Sequence, residues 1–350
     1  MIRRNLYKID NKPAVIGAGL LALDVVISST PSTPSQFLAG GSCGNVLTIL
    51  SYLGWAAFPV ARLSNNMASQ LINEDLSKWN VQRELISYTA DGSTPIIIHR
   101  ILKDNKGAAK HRYEFRNPED GTYLPGYKPC LAKNVPDVVR KAPVPVVYFF
   151  DRINRSSIDL AKYYKERKTL VVFEPSNMKD EKGFRQCVEI ADIIKFSSDR
   201  ISGYDDHYPV CLAQLEVQTL GSGGLHFRCK GESSWTFLEG YEIENVIDAA
   251  GAGDWCTAGM LWYLHREQKD LENLTKNIVA KSLRFSQALS ALNCTFEGAR
   301  GLMYNVTKTE LMLYVEHIID SQSSIIHNKP DTKYEIKQYD LKISSLFAAS

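Results

Sequence analysis

Short apolar runs rich in β-branched and aromatic residues alternate along this chain with longer stretches in which apolar residues recur at helical spacing. The runs Val15 to Ile27, Ala57 to Leu63, Pro145 to Phe150, Thr169 to Phe173, Ile193 to Phe196 and Leu215 to Thr219 are predicted strands. Helical spacing covers Gly44 to Leu53, Ala68 to Trp79, Ile158 to Arg167, Phe184 to Ala191, Trp255 to Arg266, Leu271 to Leu292 and Thr309 to Ile319. The first of these helices carries Val46, Leu47, Ile49, Leu50 and Leu53 on one side and ends at Gly54, as a helix C-terminus favours. Strands joined by helical crossovers pair in parallel by default, so the predicted class is α/β, a mostly parallel sheet covered by helices.

One piece breaks the alternation. Thr94 to Leu102 and Lys110 to Phe115 are β-rich and flank Lys103-Asp-Asn-Lys-Gly107, a hairpin signal. Two strands are not stable alone, so this hairpin is expected to extend a small second sheet or to cover the main domain as a lid within about 87–120. Phe227 to Phe237 is a second candidate hairpin, and 321–350 reads as a polar C-terminal extension to a domain spanning 13–320.

Composition narrows the class further. The 350 residues are 44% hydrophobic and 23% charged, which excludes disorder, collagen-like repeats and a small disulfide scaffold. Lys+Arg at 41 against Asp+Glu at 39 leaves +2, so charge gives no reason to expect a nucleic-acid or membrane partner. Seven scattered cysteines with no C-x-x-C pair and no metal-type spacing to histidine read as reduced thiols of a cytoplasmic protein. Arg3, Arg4, Lys8 and Lys12 ahead of the apolar run Ala14 to Ile27 imitate a signal peptide, but Asp24 interrupts the run and Pro31 replaces a cleavage site, so a buried strand is the better reading.

The densest chemistry lies in Val246-Ile-Asp-Ala-Ala-Gly-Ala-Gly-Asp-Trp-Cys-Thr-Ala-Gly259, where a strand end runs through small residues into a helix. Gly251, Ala252 and Gly253 leave backbone N–H groups uncovered at a helix N-terminus, a ready anion site. Asp254 beside an anion site would repel the anion unless it has a task, such as accepting a proton from a hydroxyl that attacks a phosphate held there; capping the helix is the alternative.

Asp248-Ala-Ala-Gly-Ala-Gly-Asp254 resembles the D-T-x-G-A-G-D signature of the ribokinase-like (PfkB-type) carbohydrate kinases, with Ala249 in place of Thr. Ala39-Gly-Gly-Ser-Cys-Gly-Asn-Val-Leu-Thr-Ile-Leu-Ser-Tyr-Leu-Gly54 resembles the family's G-G-x-x-x-N-x-A-x-x-L-x-x-L-G segment, about 200 residues earlier and in the expected order. Over roughly 13–305 this resemblance implies a three-layer sandwich with a small β lid, and ATP-dependent phosphoryl transfer to a hydroxyl of a sugar or sugar-like molecule. It implies Asp254 as catalytic base and Gly251, Ala252 and Gly253 as the anion hole. Asp24, Gly41 and Asn45 match positions that hold sugar hydroxyls; Asp151 and Arg152, after a strand end, face the usual crevice of an α/β sheet.

Thr219, Gly221, Ser222 and Gly224 match the nucleotide loop, with Asn293 at the adenine border. In many members carbonyls at the positions of Asp248, Ala250, Asn293, Phe296 and Gly298 hold a monovalent cation, so potassium is compatible alongside ATP and Mg2+. A nucleoside is the alternative acceptor, a non-catalytic ligand-binding descendant the alternative class, and a homodimer through the lid is left open.

The magnesium part of the pattern departs from the family. Ser197 and Arg200 stand where an N-x-x-E motif is usual, and Glu174-Pro-Ser176 where D-P-N is usual, leaving Asp199 and Glu174 as nearby carboxylates. A substrate phosphate would call on Arg100, Lys110, His111, Arg112 or Arg152. Gly17-Ala-Gly-Leu-Leu-Ala22 formally fits a dinucleotide fingerprint, but that motif must open a helix and here runs on as strand.

Overall fold

The computed structural model describes residues 12–28, 34–103, 109–267, 274–321, 334 and 341–348. Its strands are β1 (Ala14–Ala18), β2 (Ala22–Ile27), β3 (Gln36–Gly40), β4 (Ala56–Leu63), β5 (Ile86–Tyr88), β6 (Ile96–Lys103), β7 (Ala109–Glu114), β8 (Val147–Phe150), β9 (Leu170–Phe173), β10 (Ile193–Ser197), β11 (Leu215–Thr219), β12 (Gly224–Cys229) and β13 (Thr236–Glu239). Its helices are α1 (Ser42–Tyr52), α2 (Met67–Lys78), α3 (Val135–Lys141), α4 (Arg155–Lys165), α5 (Glu181–Ile190), α6 (Tyr204–His207), α7 (Ala252–Glu267), α8 (Lys276–Asn293), α9 (Gly301–Asn305), α10 (Lys308–Ser321) and α11 (Ile343–Phe347).

Nine strands form the central sheet in the order β13-β12-β11-β10-β9-β8-β1-β4-β5, with every pair from β5 to β11 parallel and β12 and β13 antiparallel at one edge. Strands such as Val147-Tyr-Phe-Phe150 and Leu170-Val-Val-Phe173 are apolar throughout because helices cover both of their faces. One face buries Val147, Phe149 and Val172 against α1, α7, α8 and α10; the other buries Tyr148, Phe150 and Phe173 against α4 and α5. This is the expected three-layer sandwich. Asn66 and Ser69 close a capping box on α2, and Asn154 and Asp180 accept from the first turns of α4 and α5.

The lid is a four-stranded sheet, β3-β2-β6-β7, so the predicted hairpin is half of it. Its turn, with residues 104–108, lies outside the described residues. The apolar run Val15 to Ile27 is therefore not one strand: β1 enters the central sheet, and beyond Gly19-Leu20 β2 joins the lid, pairing with β3 and β6. At the point where the chain changes sheet, the Leu20 N–H is held by the buried Asp151 carboxylate at 2.9 Å, at the end of β8. β3 was not foreseen as a strand. Most of the predicted extension 321–350 lies outside the described residues; within it, α11 packs on α2, buries Leu346, and donates from the Ile343 N–H to Glu119 at 2.7 Å.

Candidate active site

The parallel strands end at one edge, and the polar residues that follow them gather there: Asp151 after β8, Glu174 after β9, Ser197 on β10 and Thr219 on β11. The turn before α7 closes over this edge. Gly251 takes φ +74° and packs so tightly that a Cβ there would lie 2.1 Å from the Ala299 carbonyl oxygen, which excludes any side chain. Asp248, fully buried, fixes the turn by accepting from Ala250 N at 2.7 Å and Gly298 N at 2.9 Å. Asn293, at the end of α8, donates to the Ala250 carbonyl at 3.1 Å, so its side chain secures the same turn. The segments of Asp248, Ala250, Asn293, Phe296 and Gly298 thus converge, while the Ala250 carbonyl already accepts from Asn293 and the Asn293 carbonyl from the Phe296 N–H.

Asp254 lies in the first turn of α7 and accepts from Asn45 Nδ2, on α1, at 2.8 Å. Burial drives its pKa from 3.8 to about 8, and the nearby Glu174 adds to the rise; the Asn45 bond and the charges of Lys195 and Arg200 oppose it. A carboxyl held near neutrality can take a proton and release it. The amide oxygen of Asn45, Oδ1, is buried with no partner, an acceptor left without a donor.

Beneath α7, Lys195 and Glu174 form a buried pair. Lys195 Nζ donates to Glu174 Oε1 at 2.8 Å and to the Gly253 carbonyl at 3.1 Å, and Thr257 Oγ1 donates to Glu174 Oε2 at 2.5 Å. Burial disfavours the Lys195 charge, but the charge and hydrogen bond of Glu174 together with Cys256 and Asp254 outweigh it, and the pKa is raised. Gly253 is exposed above this pair, and its nearest neighbours to an added Cβ are Lys195 Nζ at 3.8 Å and Glu174 Oε1 at 4.0 Å, so its face of the helix N-terminus is open. The Ala252 N–H makes a long bond of 3.3 Å to Ala249 O.

Asp24 approaches from the lid strand β2. Burial, with a smaller push from Asp75, raises its pKa to about 7 against the opposing pull of Arg300 and of the Gly41 N–H, which it accepts. A Cβ on Gly40 would sit 2.0 Å from Asp24 Oδ2, so Gly40 is required as much as the Gly41 that the sequence singled out. Asp151 is committed to Leu20 N and, at 3.0 Å, to Arg152 Nη1. The nucleotide-loop candidates follow β11: Thr219, then a single 3-10 turn over Gly221–Gly223, then Gly224. Ser197 is in register with Thr219, and Ser198 N donates to Thr219 O at 3.0 Å, so this loop lies beside β10 and two residues beyond Lys195.

Several residues about the site escaped the sequence reading. Tyr113 of β7, half exposed, stacks on His99 of β6 with ring centroids 4.9 Å apart. Nothing in the sequence of a lid strand announces this. Asp75 anchors a second buried network, accepting from Arg300 Nη2 at 2.6 Å, Ala39 N at 2.9 Å and Tyr304 OH at 2.5 Å. It tethers the Gly40-Gly41 turn, and one signal could have found it: Leu71, Ile72, Asp75 and Leu76 share the buried face of α2, where a carboxylate is out of place without a partner.

Comparison with solved structures gives the same architecture. A sugar kinase from Pyrococcus horikoshii matches with TM-score 0.65 and 20% identity over 87% of this chain and 99% of its own. A fructokinase from Vibrio cholerae with bound fructose, ADP and calcium matches with TM-score 0.62 and 16% identity over 86% and 99%. A nucleoside kinase from Burkholderia thailandensis in complex with inosine matches with TM-score 0.61 and 16% identity over 87% and 96%. No protein-family model and no curated protein matches the sequence. At these identities the likeness is one of fold, and the fold is ribokinase-like.

Proposed function

We propose that this chain, built on the ribokinase-like fold, transfers the γ-phosphoryl group of ATP to a hydroxyl of a sugar or sugar-like molecule, with Asp254 as base. The observation that carries the reading is the Asn45–Asp254 pair: a carboxyl with a pKa near 8 at the open N-terminus of α7, beside an orphaned amide oxygen that seeks a donor. The acceptor hydroxyl gives its proton to Asp254 as its oxygen attacks the γ-phosphorus; the bond to the β-phosphate oxygen breaks and ADP leaves. The exposed Gly253 end of α7, with Gly251 and Ala252, forms the anion hole, and the helix dipole favours the phosphoryl charge there. Asp24, Gly41 and Asn45 hold the acceptor, while Asp151 and Arg152 shape the crevice floor. Thr219, Gly221, Ser222 and Gly224 follow the nucleotide, whose far border is Asn293. The Pyrococcus sugar kinase, solved also with ATP, supports ATP as donor.

The acceptor is read as uncharged. Arg100 and Arg112 both pair with Glu114, at 2.9 and 3.4 Å, and Arg152 pairs with Asp151, which leaves these cations engaged; the side chains of Lys110 and His111 lie outside the described residues. The Tyr113–His99 stack favours a second reading, a nucleoside acceptor, because a planar base can lie on such a surface.

Mg2+ would enter with the nucleotide phosphates, and Glu174, whose two oxygens accept from Lys195 and Thr257, is the carboxylate that would reach it through water. Potassium at the carbonyls around Asp248 and Phe296, a cytoplasmic location and a homodimer through the lid complete the proposal. Among the described residues no helix is long and apolar enough to cross a membrane.

The test is ATP consumption measured across free sugars, polyols and nucleosides, with Asp254→Asn as control. Acceptor-dependent turnover that the substitution abolishes supports the reading. Folded protein that binds such a ligand saturably yet never consumes ATP would identify a non-catalytic descendant instead.

A further inference from the structure

We propose that the C-terminal segment is a brace that joins the two edges of the lid and keeps its acceptor-binding face in place. The lid order β3-β2-β6-β7 leaves β3 and β7 at the edges, with Asp24 between them on β2. At the β7 edge the chain folds back on itself, the Leu124 N–H donating to Phe115 O at 3.0 Å, and this loop carries Glu119. Glu119 accepts from Ile343 N at 2.7 Å and from Ser344 Oγ at 2.6 Å, both on α11. α11 lies on α2, and its Ile343 and Leu346 join the core that Leu71 of α2 shares with Leu23 and Phe37 of the lid. α2 in turn holds the other edge, where Asp75 accepts from Ala39 N of β3 at 2.9 Å. One short helix thus ties the loop of one lid edge to the helix that fastens the other.

A second anchor lies earlier in the same segment. Tyr334 N donates to Tyr304 O at 3.0 Å, its ring centroid lies 5.2 Å from that of Trp79, and the Lys78 ammonium stands 5.7 Å from it. Trp79 Nε1 donates to Tyr304 OH at 3.1 Å, and Tyr304 OH donates to Asp75 at 2.5 Å. Tyr334 therefore packs on the network that ends at Ala39, one residue before the Gly40-Gly41 turn against which the Asp24 carboxyl lies. A helix of five residues is not stable alone, because nucleation costs more than a single turn of hydrogen bonds returns, so α11 forms only while it is seated. Seated and released are then distinct states, and the two lid edges are linked in the first alone. The brace itself is independent of the kinase reading above; its bearing on the acceptor rests on that reading.

The experiment is hydrogen exchange of the full chain, read by mass spectrometry, for wild type, Leu346→Asp, Ser344→Asp and the double variant Ser344→Asp/Glu119→Lys, with calorimetric titration of each by ATP in excess Mg2+. Leu346→Asp puts a charge into the apolar seat; Ser344→Asp sets a carboxylate against Glu119, which Glu119→Lys turns into an attraction. Both single variants should raise exchange at least ~10-fold in 341–348, 115–124 and 36–41 while β8 and β9 of the central sheet stay protected, and the double variant should recover part of the protection. ATP affinity should be unchanged, because the nucleotide loop follows β11 on the far side of the central sheet. Release of 341–348 with 115–124 and 36–41 still protected would overturn the brace, as would a 341–348 segment that no variant loosens. Protection lost equally from β8 and β9 would make α11 a general stabilising contact and overturn it too. Failure of folded wild type to bind ATP would remove the kinase reading, with the brace still decided by the exchange data.

Discussion

Replacing Asp254 by Asn should abolish turnover and stabilise the protein, with a pH dependence that identifies the cause. In the unfolded chain this carboxyl ionises near 3.8, whereas in the native state it does so near 8. Between those values the native state holds the proton that the unfolded chain has lost, so stability falls as pH rises through the window. At roughly 1.4 kcal/mol per pH unit, the native state forfeits about 4 kcal/mol by pH 7. An Asn side chain keeps the shape and the oxygen that accepts from Asn45, but brings an N–H pair whose burial costs about 1–3 kcal/mol if unmet. The variant should therefore be roughly 1–3 kcal/mol more stable than wild type at pH 7. Its advantage should shrink by about 3 kcal/mol on going to pH 5. Denaturant unfolding at the two pH values measures both, and acceptor-dependent ATP turnover should drop ~10²- to 10⁴-fold, the range expected for loss of a general base. A stability difference that is independent of pH, or turnover that survives, would refute the assignment of a partly buried, protonatable base.

Two further outcomes follow from the same geometry. Glu174→Gln removes a negative charge that raises the Asp254 pKa and leaves Lys195 to lower it, so the rise of kcat/KM with pH should have its inflection below that of wild type; an inflection that stays in place or moves up argues against this coupling. Gly251→Ala forces a Cβ into contact with the Ala299 carbonyl at φ +74°, and should cost at least ~2 kcal/mol in denaturant unfolding together with most of the activity; an unchanged midpoint would show that the turn is less constrained than its packing indicates.

Much of this was legible in the chain because local pattern and local chemistry coincide. Helical and strand periods located most of the sandwich, and the glycine-rich entry to α7 carried its own meaning, since an uncovered helix N-terminus followed by Asp254 has few physical uses. The apolar run Val15 to Ile27 shows where local pattern stops. Its composition is continuous, yet it divides between two sheets where Leu20 donates to Asp151, 131 residues away. Glu174, read from the sequence as a nearby carboxylate, accepts from Lys195 and Thr257, neither of which is near it in the chain.

The sequence by itself determined the class of fold, the order of its signatures and the identity of the candidate base, because each depends on residues adjacent in the chain or on the period of burial. Only the tertiary structure decided which charges are cancelled and which are not. In the sequence Arg100, Arg152, Lys195 and Arg300 are each simply one positive charge. Pair formation depends on distances of a few ångströms between segments as many as 225 residues apart, and it holds each of these four against a carboxylate.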